Sequence, residues 1–375
     1  MNKRIENLDI LRCFAMLMIV GLHVVGLGGV KAIVGKQGFL RWGPVSLLQY
    51  AFLCSVNVFM LLSGFFGVQI KFRYSRIAML YLQTLFWSFA LAIIIKFFFP
   101  QQSSNISFVR YIPLFTIYYW FFTSYFIVFF AMPMINFVIN EWTREQLRRT
   151  ILTFFILFSI LTGSSVGFHK FWTRDAFLLN GGYSPLWLAY VYFLGGFLAK
   201  YGISSIFPDK ILCRIMNIQY MTFFRNKSYI WTWGGYFDIM FLGFAHLCIN
   251  SRFGIIKKIY SPSRSYNDPY ILIMAVLLFE AFRRTQFPLC LKTIGRICAP
   301  YAFGVFLIHA QYDCSALIKN NFSFIANYSV VLHIPMVIIC SLSVFVLCCF
   351  MDYLRSLLFK LLNIKFYVQK LLGEV

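Results

Sequence analysis

The sequence contains few charged side chains. Only 12% of its 375 residues are Asp, Glu, Lys or Arg, whereas a soluble domain carries about 25%. Its mean hydropathy is +0.74, and 20% of its residues are aromatic, which suits lipid-facing and interfacial surfaces. This composition excludes an ordinary soluble globular protein and predicts an all-α, polytopic integral membrane helical bundle.

Acidic side chains are especially scarce. The chain has 34 Lys and Arg but 12 Asp and Glu, a net charge of +22. Such a charge can indicate nucleic-acid binding. No basic run interleaved with aromatic residues lies in a polar segment, however, so we expect no nucleic-acid partner. In a membrane protein the excess instead indicates basic cytoplasmic loops and attraction to anionic lipids or substrates.

Several other features are missing. The ten cysteines have neither metal-ligand spacing nor a paired pattern, so the sequence predicts no metal site and no disulfide framework. We recognise no cleavable signal peptide, because the first apolar stretch is too long and no small-residue cleavage site follows it. With no internal repeat or appended soluble domain evident, we expect a single transmembrane domain over residues 1–375.

The apolar segments predict the membrane topology. A bilayer-spanning helix needs about 20 mostly apolar residues. This criterion predicts ten spans, at residues 9–29, 46–66, 77–99, 112–139, 149–168, 185–201, 229–250, 268–287, 297–317 and 330–358. Lys and Arg are about twice as frequent in the inner segments if both termini are cytoplasmic, which favours that orientation. A basic amphipathic segment follows the last span.

The first span contains two residues that are costly in a bilayer, Arg12 and His23. Embedded ionisable residues usually mark a functional site. Eleven residues at about 100° each bring His23 to within about 20° of Arg12 on one helix face, about 16 Å away along the axis. Asp9 falls close to the same stripe. Pairing of Arg12 with Asp9 would give both a purely structural role, which is the alternative.

A second basic cluster is predicted at the inner leaflet. Arg73 and Arg76 follow the second span, which ends close to Ser63 and Gly64. With Arg12 they would suit an anionic cytosolic ligand that carries phosphates, because arginine binds phosphate by a planar two-pronged contact. Arg73 and Arg76 could equally be ordinary positive-inside anchors. Ser63 and Gly64 would permit either close helix packing or backbone approach to a ligand.

His23 suits two kinds of chemistry. It could act as a general base toward a hydroxyl, or carry an acyl group covalently. A core histidine bonded to a backbone carbonyl is the alternative. His309, in the ninth span, is predicted to lie at a depth similar to that of His23, with a direct role or with helix–helix hydrogen bonding. We interpret His246 and His333 as structural.

Glu280 precedes Arg283 and Arg284 by about one helical turn. This spacing predicts an ion pair within one helix. His169 is expected in an outer loop, and Asp238 receives no assignment.

Several landmarks occur in the order of one membrane-enzyme family. Arg12 is followed by ten residues and then His23, and residues 56–65 read VNVFMLLSGF. The later landmarks are residues 71–76, 120–133, 192–196, 266–269 and 303–309. On these residues the chain resembles the membrane-bound acyltransferase family 3, a bacterial group that O-acylates carbohydrates. Phe306 departs from the family pattern, in which tyrosine is common.

The resemblance implies an acyl-CoA donor on the cytoplasmic side and a sugar acceptor on or near the outer side. By position, His23 would be the essential histidine and Arg12 its companion, with Arg73 and Arg76 in the donor-side basic region. His309 matches the family's ninth-span histidine and would support the site or face the acceptor. Some members carry an extracellular transferase domain. We expect no such domain here, so the protein would act alone or with a separate partner.

Together these features predict an acyl-CoA-dependent O-acyltransferase in the bacterial cytoplasmic membrane, with no bound cofactor. We expect transfer of acetyl from acetyl-CoA to a hydroxyl of a surface polysaccharide or its lipid-linked precursor. The alternative is a transporter or flippase for a lipid-linked sugar, because embedded Arg and His residues also fit a substrate path. Against the alternative, no inverted repeat or matched pair of broken helices is evident.

Overall fold

The computed structural model describes residues 5–101, 108–115, 119–163, 175, 177–206, 228–253 and 264–374. Within these residues the regular structure is helical and no strand is present, which confirms the all-α fold. The helices are, in chain order, α1 (Glu6–Val25), α2 (Val30–Val34), α3 (Phe39–Phe52), α4 (Ser55–Gly67), α5 (Tyr74–Phe98), α6 (Trp120–Glu141), α7 (Arg144–Phe155), α8 (Pro185–Tyr201), α9 (Ser228–Phe253), α10 (Pro269–Arg284), α11 (Leu289–Cys298), α12 (Ala302–His309), α13 (Tyr312–Ile318), α14 (Val330–Leu361) and α15 (Ile364–Leu371).

Six helical stretches in the described part of the chain are long and apolar enough to cross a membrane. They are Glu6–Val25, Phe39–Gly67, Tyr74–Phe98, Trp120–Glu141, Leu289–His309 and Val330–Leu361. In α5 and α14 only 28% of the most apolar window is buried. The remaining apolar side chains face outward, as lipid-facing surfaces do. The fold is therefore that of a multi-pass membrane protein, while the number of ten spans and their orientation stay predictions.

The helices fall into two compact units, which we describe separately. The first comprises Met1–Leu11, Leu53–Ile70 and Phe130–Lys292. Within it α4 packs against α8, and α9 packs against α10.

Local signals fix the helix starts of this unit. The Ser184 hydroxyl accepts from the Trp187 N–H, and Pro185 occupies the first turn of α8. The Asp268 carboxylate similarly caps α10 at Tyr270. Both are favoured helix beginnings, because the cap satisfies an N–H group that has no partner inside the helix.

Glycines allow α4 and α8 to approach closely. A Cβ atom on Gly64 would overlap the backbone carbonyl of Tyr192, and one on Gly195 would overlap that of Leu61. Small residues at a helix–helix interface let the two backbones meet in this way.

A buried amide adds polar contacts to this interface. The wholly buried Asn57 accepts from the Trp187 indole N–H at 3.0 Å and donates to the Tyr266 carbonyl at 2.7 Å. These contacts join α4 to α8 and to the residues just before α10. They leave neither end of the Asn57 amide without a partner.

The second unit comprises Arg12–Phe52, Lys71–Phe129 and Thr293–Val375. A buried carboxylate, that of Asp352 in α14, organises its interior. It accepts from the Trp87 indole N–H of α5 at 2.8 Å and pairs with Arg355 at 2.9 Å. A Cβ atom on Gly304 would overlap this carboxylate. The contact therefore places α12 against α14 and fixes the helix that ends at His309.

Backbone contacts hold the C-terminal end of α1 in the same unit. The Gly28 N–H donates to the His23 carbonyl at 2.8 Å. The Asn320 N–H donates to Leu27, and the Phe322 N–H donates to Gly28. These bonds tie the turn after His23 to the segment that follows α13.

Several predicted spans match helices closely. The span at 185–201 coincides with α8, and those at 9–29, 77–99, 229–250, 268–287 and 330–358 differ from helices only near their ends. The basic amphipathic segment after the last span forms α15.

Other predicted spans differ from the helices in their interior or by several residues at one end. The span at 46–66 is divided by a turn at residues 53–54, where both side chains are apolar and hydropathy gives no signal. The span at 112–139 begins only at Trp120. Pro113 lacks a backbone N–H and Leu114 has a φ of 76°, so neither residue continues a helix.

The span at 297–317 is divided into parts of α11, α12 and α13. Pro300 lies in a 3-10 turn between α11 and α12, and α12 ends at His309. The Gln311 side chain then accepts from the Cys314 N–H at 2.9 Å and so starts α13. The helix predicted at 149–168 begins earlier, at Arg144, where Thr143 and Gln146 form a capping box. Residues 164–168 and His169 lie outside the described residues.

Candidate active site

Arg12 and His23 lie on one continuous helix, α1. The predicted spacing of about 16 Å along the helix axis therefore applies to them. Both side chains are half-buried, and Asp9, on the same helix, is buried. Arg12 and His23 belong to the second unit, whereas Asp9 belongs to the first.

The second unit brings His23 and His309 together. Their ring centroids are 4.9 Å apart and the ring planes are inclined by 56°. His309 is the last residue of α12 and is buried. The contact agrees with the prediction that the two histidines lie at similar depth, although 286 residues separate them in sequence.

Hydrogen bonding fixes the tautomer of a neutral His309. Its Nδ1 lies 2.6 Å from the Val305 carbonyl oxygen. Because that oxygen can only accept, Nδ1 must carry the hydrogen, and Nε2 of the neutral ring is left with a lone pair. This Nε2 is buried and has no hydrogen-bond partner among the described residues. The helix of His309 therefore orients the ring, and Nε2 of the neutral ring is left as a hydrogen-bond acceptor.

His23 also retains a free ring nitrogen. Its Nδ1 is buried without a hydrogen-bond partner within the described ranges. A carbonyl partner, which the structural alternative for His23 requires, is thus absent at Nδ1 among these residues. A bare nitrogen alone does not identify a site, since Nδ1 of His333 is also unpaired there. The pair is distinguished by two imidazoles in contact, each with a buried nitrogen available to a substrate.

Aromatic side chains surround this pair. The Phe306 ring lies 6.3 Å from that of His309 and 5.9 Å from that of Phe121. The Tyr119 hydroxyl donates to the Leu307 carbonyl at 3.0 Å. These contacts stiffen α12 near the histidines. The Phe306 ring has no hydroxyl and places apolar surface beside His309.

The basic residues predicted for the donor lie at the start of α5. Arg73 immediately precedes the helix and Arg76 lies in its first turn. Both side chains are exposed. They are thus free to meet a large anionic ligand from water, and they belong to the same unit as Arg12 and the two histidines.

Ser63 and Gly64 lie in the first unit, on α4. The Ser63 hydroxyl donates to the Phe59 carbonyl of its own helix at 2.9 Å. Gly64 packs on the backbone of α8 at Tyr192. Of the two roles predicted for Gly64, close helix packing and approach to a ligand, the structure shows the packing. Donor binding by Ser63 and Gly64 stays a prediction.

The other sequence predictions concern structural residues. Glu280 forms ion pairs with Arg283 at 2.8 Å and Arg284 at 2.9 Å, which confirms the expected intrahelical pairing. His246 contacts the Tyr270 hydroxyl at 3.1 Å, and His333 contacts the Tyr328 carbonyl at 3.1 Å.

The sequence reasoning missed a buried acid close to His309. Asp313 accepts from the Tyr111 hydroxyl and from the Gln311 amide, each at 3.1 Å. Only 1% of Asp313 is exposed. Its distance of four residues from His309 was a signal that could have been used, since an acid in an apolar segment rarely lacks a role.

Among the described residues, no three His, Cys, Asp or Glu side chains group as ligands for a metal ion. No curated protein and no solved structure matches the chain. A family model described as an acyltransferase domain, that of acyltransferase family 3, matches residues 5–353. This match covers nearly the whole sequence and includes both histidines of the pair and all three basic residues assigned to the donor. The chain therefore belongs to acyltransferase family 3.

Proposed function

We propose that this membrane acyltransferase transfers acetyl from cytosolic acetyl-CoA to a hydroxyl group of a surface polysaccharide or its lipid-linked precursor. The observation that carries the proposal is the pair of imidazoles. His23 and His309 are in contact, and each has a buried nitrogen without a hydrogen-bond partner in the described part of the chain. Leaving buried polar atoms unpaired costs free energy unless another group pairs with them. An acceptor hydroxyl would provide that group.

The reaction requires a base. A ring nitrogen of His23 takes the hydroxyl proton as the sugar oxygen attacks the carbonyl carbon of the thioester. A C–O bond forms, the C–S bond breaks, and the proton held by His23 passes to the departing CoA sulfur. In a second form of the mechanism, a ring nitrogen of His23 attacks the thioester carbon, so that an N–C bond forms, the C–S bond breaks and CoA leaves as the thiolate. The sugar oxygen then attacks the same carbon, the N–C bond breaks, and the hydroxyl proton passes to the CoA thiolate.

His309 supports this step. Its Nδ1 hydrogen is engaged by Val305, so its Nε2 accepts a hydrogen bond from the acceptor or shares the proton with His23. This assignment places His309 on the acceptor side of the reaction. Deletion of its side chain should then impair transfer without removing the primary base.

The donor would be held by charge. Arg12, Arg73 and Arg76 supply guanidinium groups for the phosphates of CoA, which they can bind in a two-pronged manner. Ser63 and Gly64 are proposed to line the approach of the donor, in addition to the packing that Gly64 provides. Asp9 would orient Arg12 from within the same helix.

The membrane arrangement follows from the same proposal. We place the protein in the bacterial cytoplasmic membrane with ten spans and both termini inside, so that the basic start of α5 meets cytosolic acetyl-CoA. A carbohydrate or glycolipid acceptor approaches from the outer side. A separate extracellular transferase could take the acetyl group onward, and no bound cofactor is needed for the chemistry described.

Substitution of His23 tests the catalytic assignment. In purified protein reconstituted in lipid, we expect His23→Ala to lower the rate of acetyl transfer from labelled acetyl-CoA by at least about 10²-fold to 10⁴-fold, the contribution typical of a general base. The acceptor is a glycan preparation from cells that lack the protein. The measurement is label incorporated into glycan together with the free CoA thiol released.

His246→Ala is the matched control. His246 also lies on an apolar helix, but its Nδ1 contacts the Tyr270 hydroxyl, whereas Nδ1 of His23 has no partner among the described residues. We expect near-normal transfer from this variant and normal membrane levels of both variants. Retention of activity by His23→Ala would remove the catalytic role, and transport of glycan without CoA release would contradict the enzyme assignment as a whole.

A further inference from the structure

Helix α5 begins without a capping side chain of its own. Arg73 occupies the position before the helix in an extended conformation, and its side chain makes no capping hydrogen bond. A guanidinium group can only donate, so it cannot accept from the N–H groups of the first turn. Those groups have no partner within the helix and carry a partial positive charge. The start of α5 therefore requires an acceptor from elsewhere.

Glu374 supplies that acceptor. One carboxylate oxygen accepts from the Tyr74 N–H at 2.7 Å, and the other accepts from the Ser75 N–H at 3.3 Å. A hydrogen bond from the Ser75 side chain lowers the pKa of the Glu374 carboxyl, and the two N–H groups and the charge of Arg73 act in the same direction. An anion of the chain itself thus occupies the first turn of α5, between the residues proposed for donor phosphate binding.

The segment that carries Glu374 is loosely attached. Helix α15 packs on α5 but buries none of its own residues, and Leu371 is 86% exposed. Asn363 before the helix and Gly373 after it both have left-handed backbone conformations, with φ of 49° and 66°. Release of such a segment exposes little additional apolar surface. Segments with few buried contacts open at low free energy.

We infer that Glu374 competes with the donor's phosphate groups for the start of α5, so that the 364–374 segment regulates donor binding. The inference rests on the proposed function, in which Arg73 and Arg76 bind acetyl-CoA. Carboxylate and phosphate both accept from the same N–H and guanidinium groups. The two anions cannot occupy one helix turn together. Donor binding therefore requires that Glu374 leave.

The change in donor affinity depends on the fraction of protein molecules in which the 364–374 segment has left the start of α5. If the segment is docked about nine-tenths of the time, the apparent Kd for the donor is raised about tenfold. Removal of the Glu374 charge should restore the intrinsic affinity. Weaker docking would give a proportionally smaller change.

The test measures binding of adenosine 3′,5′-bisphosphate, the phosphate-bearing part of CoA, to the full chain in lipid nanodiscs by calorimetry. We expect Glu374→Gln to bind this probe several-fold more tightly than the unsubstituted protein, up to about tenfold. Glu374→Asp, which keeps the charge on a shorter side chain, should fall between them. Glu145→Gln is the matched control, because Glu145 is also a carboxylate paired with basic groups, Arg148 and Arg149.

Each outcome has a distinct meaning. If Glu374 acts only as a helix cap, Glu374→Gln will lower the Tm and leave probe affinity unchanged or reduced, and the inference is overturned while the proposed function stands. If neither the unsubstituted protein nor Glu374→Gln binds the probe, the donor assignment itself fails and the inference fails with it. A similar gain in Glu145→Gln would show a general charge effect and would also overturn the inference.

Discussion

In the first unit, α4 and α8 meet backbone to backbone at Gly64 and Gly195, whereas in the second unit α1 and α12 bring two imidazole rings side by side. The first contact leaves no space for even a methyl group. The second leaves buried nitrogen atoms of His23 and His309 without a partner among the described residues.

The two units also differ in how the polar side chains near these contacts are hydrogen-bonded. In the first unit the buried Asn57 amide is satisfied at both ends. In the second, His309 uses one nitrogen to hold its orientation and keeps the other available. An oriented ring with one unpaired nitrogen is not enough to mark a site, since His333 has the same arrangement, and what sets His309 apart is its contact with a second imidazole. On the proposed function, the Gly64–Tyr192 contact of the first unit serves packing, and the histidine contact of the second unit serves chemistry.

The largest expected effect comes from closing the glycine contact. In Gly64→Ala the new Cβ would overlap the Tyr192 carbonyl, which is backbone and cannot move aside as a side chain can. We expect a loss of about 3 kcal/mol or more in stability, with little protein recovered from the membrane. Recovery of monodisperse protein and its thermal unfolding are the measurements.

Gly234→Ala provides the control for that substitution. Nothing lies within 4 Å of a Cβ built on Gly234, which is also in a helix of the first unit. Alanine has a helix propensity better than that of glycine by about 1 kcal/mol, so this variant should be as stable as the original or slightly more so. Equal recovery of Gly64→Ala and Gly234→Ala would refute the close contact.

The next largest effect concerns the second unit alone. We expect His309→Ala to reduce acetyl transfer by up to about 10²-fold, less than His23→Ala, since it removes the oriented Nε2 but leaves the primary base in place. Protein level should stay normal. His333→Ala is the control, because His333 is also buried, bonds to a backbone carbonyl and lies in the same unit. If both variants lose activity to the same extent, contact with His23 gives His309 no particular role, and the proposed difference between the two units is refuted.

Much of this comparison follows from sequence, for identifiable reasons. The bounds of α8 were predicted because its apolar residues stop at both ends, where Ser184 caps the helix in the structure and Gly202 follows it. The depth of His23 and His309 was predicted because a helix rises by a fixed amount per residue. Glu280 and its arginines were predicted because residues three and four apart are neighbours on a helix.

Other features depend on contacts that a single sequence does not specify. The sequence left open whether Gly64 packs against another helix or approaches a ligand, because a glycine does not indicate which group lies beside it. The position of the Tyr192 backbone in the structure shows the helix packing. The turn at 53–54 is formed by apolar residues that a hydropathy window counts as membrane span. The contact of Glu374 with Tyr74 joins residues 300 positions apart, and no local pattern marks it.

The smallest expected effect concerns the hydrogen bond of His246 in the first unit. Tyr270→Phe removes the hydroxyl that contacts Nδ1 of His246 at 3.1 Å. Single hydrogen bonds between membrane helices contribute on average about 0.6 kcal/mol, so we expect a small fall in Tm and unchanged acetyl transfer. Thermal unfolding and the transfer assay on one preparation give both values. A large loss of activity with an unchanged Tm would place chemistry in the first unit, and the division of packing and catalysis between the units would have to be abandoned.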